Sequence, residues 1–219
     1  TLALTRKAVE VGAAAVLMLP PFYYKYSQPV CDDGLFASYS EIIQRIGDER
    51  LKILLYHIPQ NSGVPLGMAL IERLLAAYPE TVIGIKDSNN QLENMTAMVD
   101  TFPGFRVFSG SDRFLLELLR ASGAGSITAC NNVAGPLSAR LYAGWGEASA
   151  DELQRELETV RATISDYPLV AALKATVARA TGHENWRRPR PPLETLPIAE
   201  AAELIQRLEA IGFEMKRAA

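Results

Sequence analysis

The feature that most limits how this 219-residue chain can fold is a repeated switch between two hydrophobic periods. Five short apolar runs, Ala14–Leu19, Leu51–Tyr56, Thr81–Lys86, Arg106–Ser109 and Gly125–Cys130, have strand length and several are rich in β-branched residues. Runs of this kind fit strands buried on both faces. Between them the apolar residues fall at helical spacing. Leu35–Ile46 places Leu35, Phe36, Tyr39, Ile42, Ile43 and Ile46 on one side, and Leu66–Ala77, Gln91–Phe102 and Asp112–Ser122 follow the same logic. Gly123 and Gly125 close the last of these, as glycine commonly does. Strand–helix repeats predict an α/β fold with a parallel sheet and right-handed crossovers. An open doubly wound sheet and a TIM (β/α)8 barrel both fit. No G-x-G-x-x-G follows a strand, so a dinucleotide-binding sheet loses support.

Five repeats cannot close an eight-stranded barrel, so a barrel reading expects the first three strands to be absent from this sequence. The start agrees, because Thr1–Val11 already reads as an amphipathic helix with no capping signal before it. After about Glu147 the strand-like runs stop. Asp151–Ile164, Leu169–Ala180 and Ile198–Phe213 read as helices, joined by a connection stiffened by Pro189, Pro191, Pro192 and Pro197. The expected organisation is therefore barrel repeats over 1–146 and a helical C-terminal extension over 147–219.

Net charge and cysteine usage narrow the partners. A net charge of −3 argues against nucleic acid as a main partner, because phosphate binding needs a basic face, and Arg187, Arg188 and Arg190 are interrupted by prolines. The longest apolar run, Gly12–Pro21, is too short to span a bilayer, and no secretory signal is visible. Cys31 and Cys130 lie too far apart in sequence for a metal motif or a disulfide framework. They read as free thiols in a reducing cytoplasm, and no metal is expected.

Two strand ends carry candidate chemistry. In Thr81–Ser88 (TVIGIKDS), strand alternation puts Lys86 on one face with Gly84 and Val82, and Ile83 and Ile85 on the other. In a barrel Lys86 would point inward at the C-terminal rim, with Gly84 leaving room below it for a ligand. Of six lysines, only Lys86 ends a wholly apolar run. Desolvation in an apolar cavity favours the neutral amine, the form that attacks a carbonyl. The plain alternative is a strand-end lysine reaching solvent. In Leu51–Pro59 (LKILLYHIP), Tyr56 ends its strand opposite in parity to Ile53 and Leu55, one repeat before Lys86. On neighbouring strands, about 4.8 Å apart, phenol and amine would share a cavity, and the phenol could shuttle protons. His57 would point away, packed between strand and helix. Asp87 and Ser88 read as caps for the following helix, and Asn131 and Asn132 as the close of the last strand.

Six segments along the chain resemble the dihydrodipicolinate synthase / N-acetylneuraminate lyase family of pyruvate-dependent class I aldolases. LPPFYYKYSQ (Leu19–Gln28) is similar to its P-Y-Y-x-x-x-x-Q loop, LLYHIPQNSG (Leu54–Gly63) to its Y-x-x-P-x-x-[TS]-G motif, and GIKDSN (Gly84–Asn89) to its lysine motif. SGSD (Ser109–Asp112) and GAGSITACNNV (Gly123–Val133) resemble its last two strands, and RRPRPPLETL (Arg187–Leu196) its R-x-P-L region. The resemblance implies a TIM barrel in which Lys86 forms a Schiff base with a 2-oxo acid and Tyr56 relays protons. It implies that Tyr23 reaches a neighbouring subunit's site, that the backbone carbonyl of Ile127 lines the substrate pocket, and that the protein is a homo-oligomer, a dimer or tetramer. It implies no cofactor beyond the covalent imine. One departure matters. The synthases carry a carboxylate-binding arginine two residues after the motif proline; here Pro59 is followed by Gln60 and then Asn61, which cannot form that bidentate clamp. IPQNSG is more similar to the V-P-A-N-T-G of 4-hydroxy-2-oxoglutarate aldolases. Gln60, Asn61 and Ser62 are thus the candidate specificity residues. The expected function is an aldolase or lyase acting next to pyruvate, with a dihydrodipicolinate synthase or dehydratase, or a ligand-binding barrel without catalysis, as the alternatives.

Overall fold

The computed structural model describes residues 1–26 and 30–215. Ser27 and Gln28, the end of the expected Leu19–Gln28 loop, lie outside the described residues. The chain forms two compact units, Thr1–Gly110 with Ala121–Ser126, and Ser111–Arg120 with Ile127 onward.

The first unit alternates helix and strand: α1 (Leu2–Glu10), β1 (Val16–Met18), a 3-10 turn (Tyr23–Tyr26), α2 (Asp32–Ile46), β2 (Ile53–His57), α3 (Pro59–Ser62), α4 (Met68–Ala77), β3 (Val82–Asp87), α5 (Leu92–Thr101), β4 (Arg106–Ser109) and β5 (Gly125–Ser126). All four strand pairings are parallel and the order is consecutive, β1-β2-β3-β4-β5. A doubly wound sheet reverses its order at a switch point; this one does not, and its order is that of an arc of a (β/α) barrel. The five expected strands are all present, though β5 is only two residues long and Ile127–Cys130 leave the sheet.

Burial follows strand parity. Ile53 and Leu55 of β2, Ile85 of β3 and Val107 of β4 are fully buried, and α4 packs on β3 and α5 on β4. Leu70, Ile71 and Leu74 of α4, with Met95 and Met98 of α5, are equally buried. Each side chain of this size contributes about 1.5–3 kcal/mol when removed from water. One parity expectation needs correction. The register shifts between Ile53 and Leu54, so that Ile53 pairs with Val82 and Leu54 with Gly84. Ile83 is the extra residue, and Val82, level with Ile53 and as buried, leaves the Lys86 series. The bulge at Ile83 brings Gly84 and Lys86 into step with Leu54 and Tyr56.

Gly84 also does something other than expected. A Cβ there would collide with the Arg106 carbonyl oxygen and meet Leu54 Cδ2 at 2.9 Å. The residue permits close approach of β3 to its neighbours rather than leaving room for a ligand.

The second unit is helical: a 3-10 turn (Asp112–Phe114), α6 (Leu115–Arg120), α7 (Asn131–Ala143), α8 (Ala150–Ser165), α9 (Leu169–Thr181), a further 3-10 turn (Glu184–Arg187) and α10 (Ile198–Ala210). It gathers helices from both sides of the boundary expected at Glu147. Leu137, Leu141, Leu157, Val160, Ile164, Ala172 and Leu204 belong to its core. Inside it, the fully buried Asp112 pairs with Arg161 at 3.0 Å and accepts from Thr128 Oγ1 at 2.5 Å. Gln154 satisfies the Leu116 amide and the Asp112 and Arg113 carbonyls. Burial pushes the neighbouring Cys130 thiol up to about 11, so this cysteine behaves as a small hydrophobe. Asn131 and Asn132 begin α7 rather than end a strand: Asn131 Oδ1 accepts from Ser138 Oγ at 2.8 Å, and Asn132 Nδ2 donates to the Ala129 carbonyl. Among the described residues, no helix is long and apolar enough to cross a membrane.

Gly84→Ala should force β3 and β4 apart. Equilibrium urea unfolding should show a loss of about 1–3 kcal/mol or more; an unchanged midpoint and slope would contradict the close-approach role.

Candidate active site

Tyr56 and Lys86 are register partners, each one residue from the C-terminal end of its strand. Their chain neighbours Leu55, His57, Ile85 and Asp87 are buried, which leaves the phenol and the amine on the opposite, half-exposed face. Lys86 Nζ donates to Tyr56 Oη at 3.1 Å and lies 4.4 Å from the centre of the tyrosine ring. A single small ligand can therefore touch an amine and a hydroxyl at once.

A buried polar layer lies behind this rim. His57 Nδ1 accepts from the Leu66 amide at 3.0 Å, and Asn89 Nδ2 lies 3.4 Å from Nε2. The expectation that His57 packs away from the cavity is met. Burial lowers its pKa, the nearby Asp87 opposing. The Asp87 carboxylate accepts from the Asn89 amide at 2.8 Å and from Asn94 Nδ2 at 2.6 Å. Asp87 is thus a structural acceptor in the β3–α5 loop. It is not an N-cap, since α5 is preceded by Gln91 and has no side-chain cap.

The segment after β2 forms the side of the rim. Pro59 opens α3 and Gly63, with φ +66°, closes it in the left-handed region. Of the three specificity candidates, Gln60 Nε2 donates to the Ser88 carbonyl at 2.6 Å. Ser62 is buried, its Oγ 3.1 Å from both the amide and the carbonyl of Val64. Asn61 is exposed. Lys25, which no sequence pattern set apart from the other lysines, donates to the Ser62 carbonyl at 2.9 Å and packs its stem on Gly63. Tyr23 is not brought to Lys86: it is 81% exposed and stands edge-on to Tyr24. Ile127 follows β5 at the start of the second unit's main segment and is half-buried. Among the described residues, no three His, Cys, Asp or Glu side chains converge as a metal site.

A strand-end lysine is thus hydrogen-bonded to a strand-end tyrosine across consecutive parallel strands of (β/α)-barrel order. Comparison with known proteins agrees: the chain belongs to the dihydrodipicolinate synthetase family, whose profile matches residues 1–211. It is 31% identical over 215 residues to an uncharacterized DapA-like lyase of Chloroflexus aurantiacus, covering 96% of this chain and 70% of that protein. It is 30% identical over 211 residues to a probable 2-dehydro-3-deoxy-D-pentonate aldolase of Escherichia coli K12, covering 91% of this chain and 64% of that protein. The crystal structure of dihydrodipicolinate synthase from Agrobacterium tumefaciens superposes with a TM-score of 0.81 at 27% identity, over 96% of this chain and 70% of that one.

The depressed pKa of His57 has a consequence for stability. The unfolded chain takes up a proton below about pH 6.5, whereas the folded ring resists it, so this contribution is full above that value and is lost as pH falls below it. Unfolding free energies measured at pH 7.5 and 5.5 should fall more in the wild type than in His57→Gln, which keeps an acceptor for Leu66; equal losses would contradict the buried neutral imidazole.

Proposed function

We propose that the protein is a class I aldolase or lyase that makes or breaks a carbon–carbon bond next to pyruvate or a related 2-oxo acid. The observation that carries the reading is the 3.1 Å hydrogen bond between Lys86 Nζ and Tyr56 Oη. The neutral amine adds to the C2 ketone, forming a carbinolamine. Tyr56 passes the proton with which the carbinolamine hydroxyl leaves as water. The iminium nitrogen then takes up the electron pair of the C3–C4 bond as the 4-hydroxyl gives its proton to the Tyr56 phenolate left by that transfer and the aldehyde departs. The resulting enamine is protonated at C3, and water frees pyruvate and Lys86. This chemistry asks for no cofactor beyond the covalent imine.

Asn61 is the proposed determinant of which aldehyde is accepted. Asn61 and Gln60 are both exposed, but Gln60 and Ser62 are held by backbone groups. A neutral carboxamide there favours an aldolase for 4-hydroxy-2-oxoglutarate or 2-keto-3-deoxy acids over a dihydrodipicolinate synthase. The full-length protein is proposed to be a homo-oligomeric barrel of the reducing cytoplasm, closed by three strands before β1. The consecutive strand order, the 70% share of the Chloroflexus relative's length, the exposed Tyr23 and the free Cys31 and Cys130 support this.

Borohydride reduction of the full-length protein with pyruvate should add one pyruvate-derived group, mapped by mass spectrometry to Lys86. Lys86→Ala should take up none, and Tyr56→Phe should slow the reaction about 10²–10⁴-fold. An unlabelled Lys86 would favour a ligand-binding barrel. Turnover of pyruvate with aspartate semialdehyde, but of no 4-hydroxy-2-oxo acid or 2-keto-3-deoxy acid, would favour the synthase.

A further inference from the structure

The residue after each reacting side chain faces the other way, and both such residues are polar and buried. His57 follows Tyr56, Asp87 follows Lys86, and the two are register partners with 5% and 1% exposure. Polar groups are costly to bury unless they are bonded, and these are. Around His57, the Leu66 amide donates to Nδ1 and the Ser88 amide donates to the backbone carbonyl at 2.8 Å. Around Asp87, Asn89 N and Asn94 Nδ2 donate one to each carboxylate oxygen, and the Gly110 amide donates to the backbone carbonyl at 2.6 Å. The end of β2 is thereby fixed to the start of α4 and to the loop after β3. The end of β3 is fixed to α5 and to the end of β4.

We infer that the His57–Asp87 layer is a positioning element that holds Tyr56 Oη and Lys86 Nζ at reacting distance without touching the substrate. This rests on the imine reading of Lys86. Among the described residues, the side chains of Tyr56 and Lys86 hydrogen-bond only to each other. Their placement therefore depends on the backbone beneath them, and the buried layer fixes that backbone. A displacement of about 1 Å at reacting groups can cost on the order of a hundredfold in rate. Asp87 is the more exacting of the two. Both of its oxygens accept from N–H donors, and the Asn89 donor is a backbone amide that cannot reverse, so an asparagine at 87 turns its NH2 toward Asn94, where it opposes Nδ2 unless that carboxamide gives up its present orientation.

The test uses full-length protein and the rate of pyruvate trapping at Lys86 by borohydride, read against pyruvate concentration. Asp87→Asn should slow trapping at saturating pyruvate about tenfold or more, with the half-saturating concentration moving less than about twofold, because the loss lies in alignment and not in binding. The exchanged pair Asp87→Asn with Asn94→Asp restores donor to acceptor and should recover the rate to within about threefold. If Asp87→Asn does not fold, Asn94→Ala, which removes one donor from a half-buried site, is read in the same way. A folded Asp87→Asn or Asn94→Ala that traps pyruvate at the wild-type rate overturns the positioning role while leaving the imine intact. A half-saturating concentration that rises as far as the rate falls also overturns it, since the layer would then serve binding. A wild type that forms no adduct overturns the imine reading and the positioning role with it.

Discussion

Parallel pairing of β2 with β3, in the register that sets Tyr56 level with Lys86, is the constraint on which the rest of the site depends. A strand alternates its faces with period two, so a slip of one residue would bury the amine under a helix and expose Asp87. Two features fix the register. The bulge at Ile83 brings Leu54 into line with Gly84, and Gly84 lets β3 close against the Arg106 carbonyl. The apolar residues of the opposite parity, Leu55 and Ile85, anchor the same register from the helix side, where exposing them would forfeit the burial that stabilises the unit.

The rim is assembled from loops that hold one another through main-chain atoms. Gln60 reaches the Ser88 carbonyl, Lys25 reaches the Ser62 carbonyl, and Gly63 allows the turn that brings both about. Contacts to carbonyls constrain where a loop runs while leaving its outward side chains free to vary. This division suits a family whose relatives include a DapA-like lyase and a pentonate aldolase by name. On the proposed reading a fixed amine and phenol serve the shared step, and an exposed position such as Asn61 can change without disturbing them.

Much of this is legible in the sequence alone. The strand ends at Tyr56 and Lys86 could be read because parity is a local property, and the apolar runs were long enough to show it. The burial of His57 followed from the same parity. What escaped the sequence was whatever depends on a second strand. The bulge that moves Val82 out of the Lys86 series is a relation between β2 and β3, and the use of Gly84 depends on Arg106 of β4. The helix α7 was hidden by Gly135 and Pro136, which break the helical pattern, although Pro136 lies inside the helix. Lys25 gave no signal because its partner is a backbone carbonyl 37 residues away. Motif likeness supplied what parity could not, the expected roles of Tyr23 and Ile127, which would involve groups beyond the Tyr56–Lys86 contact.

The central claim is that one amine and one phenol act together on one small keto acid. A crystal structure of the full-length protein soaked with pyruvate tests it most directly. The account predicts continuous electron density from Lys86 Nζ to C2 of the ligand, with Tyr56 Oη within hydrogen-bond reach of the new imine. Pyruvate bound without a covalent link, or an adduct on another lysine with the Tyr56–Lys86 contact undisturbed, would contradict it.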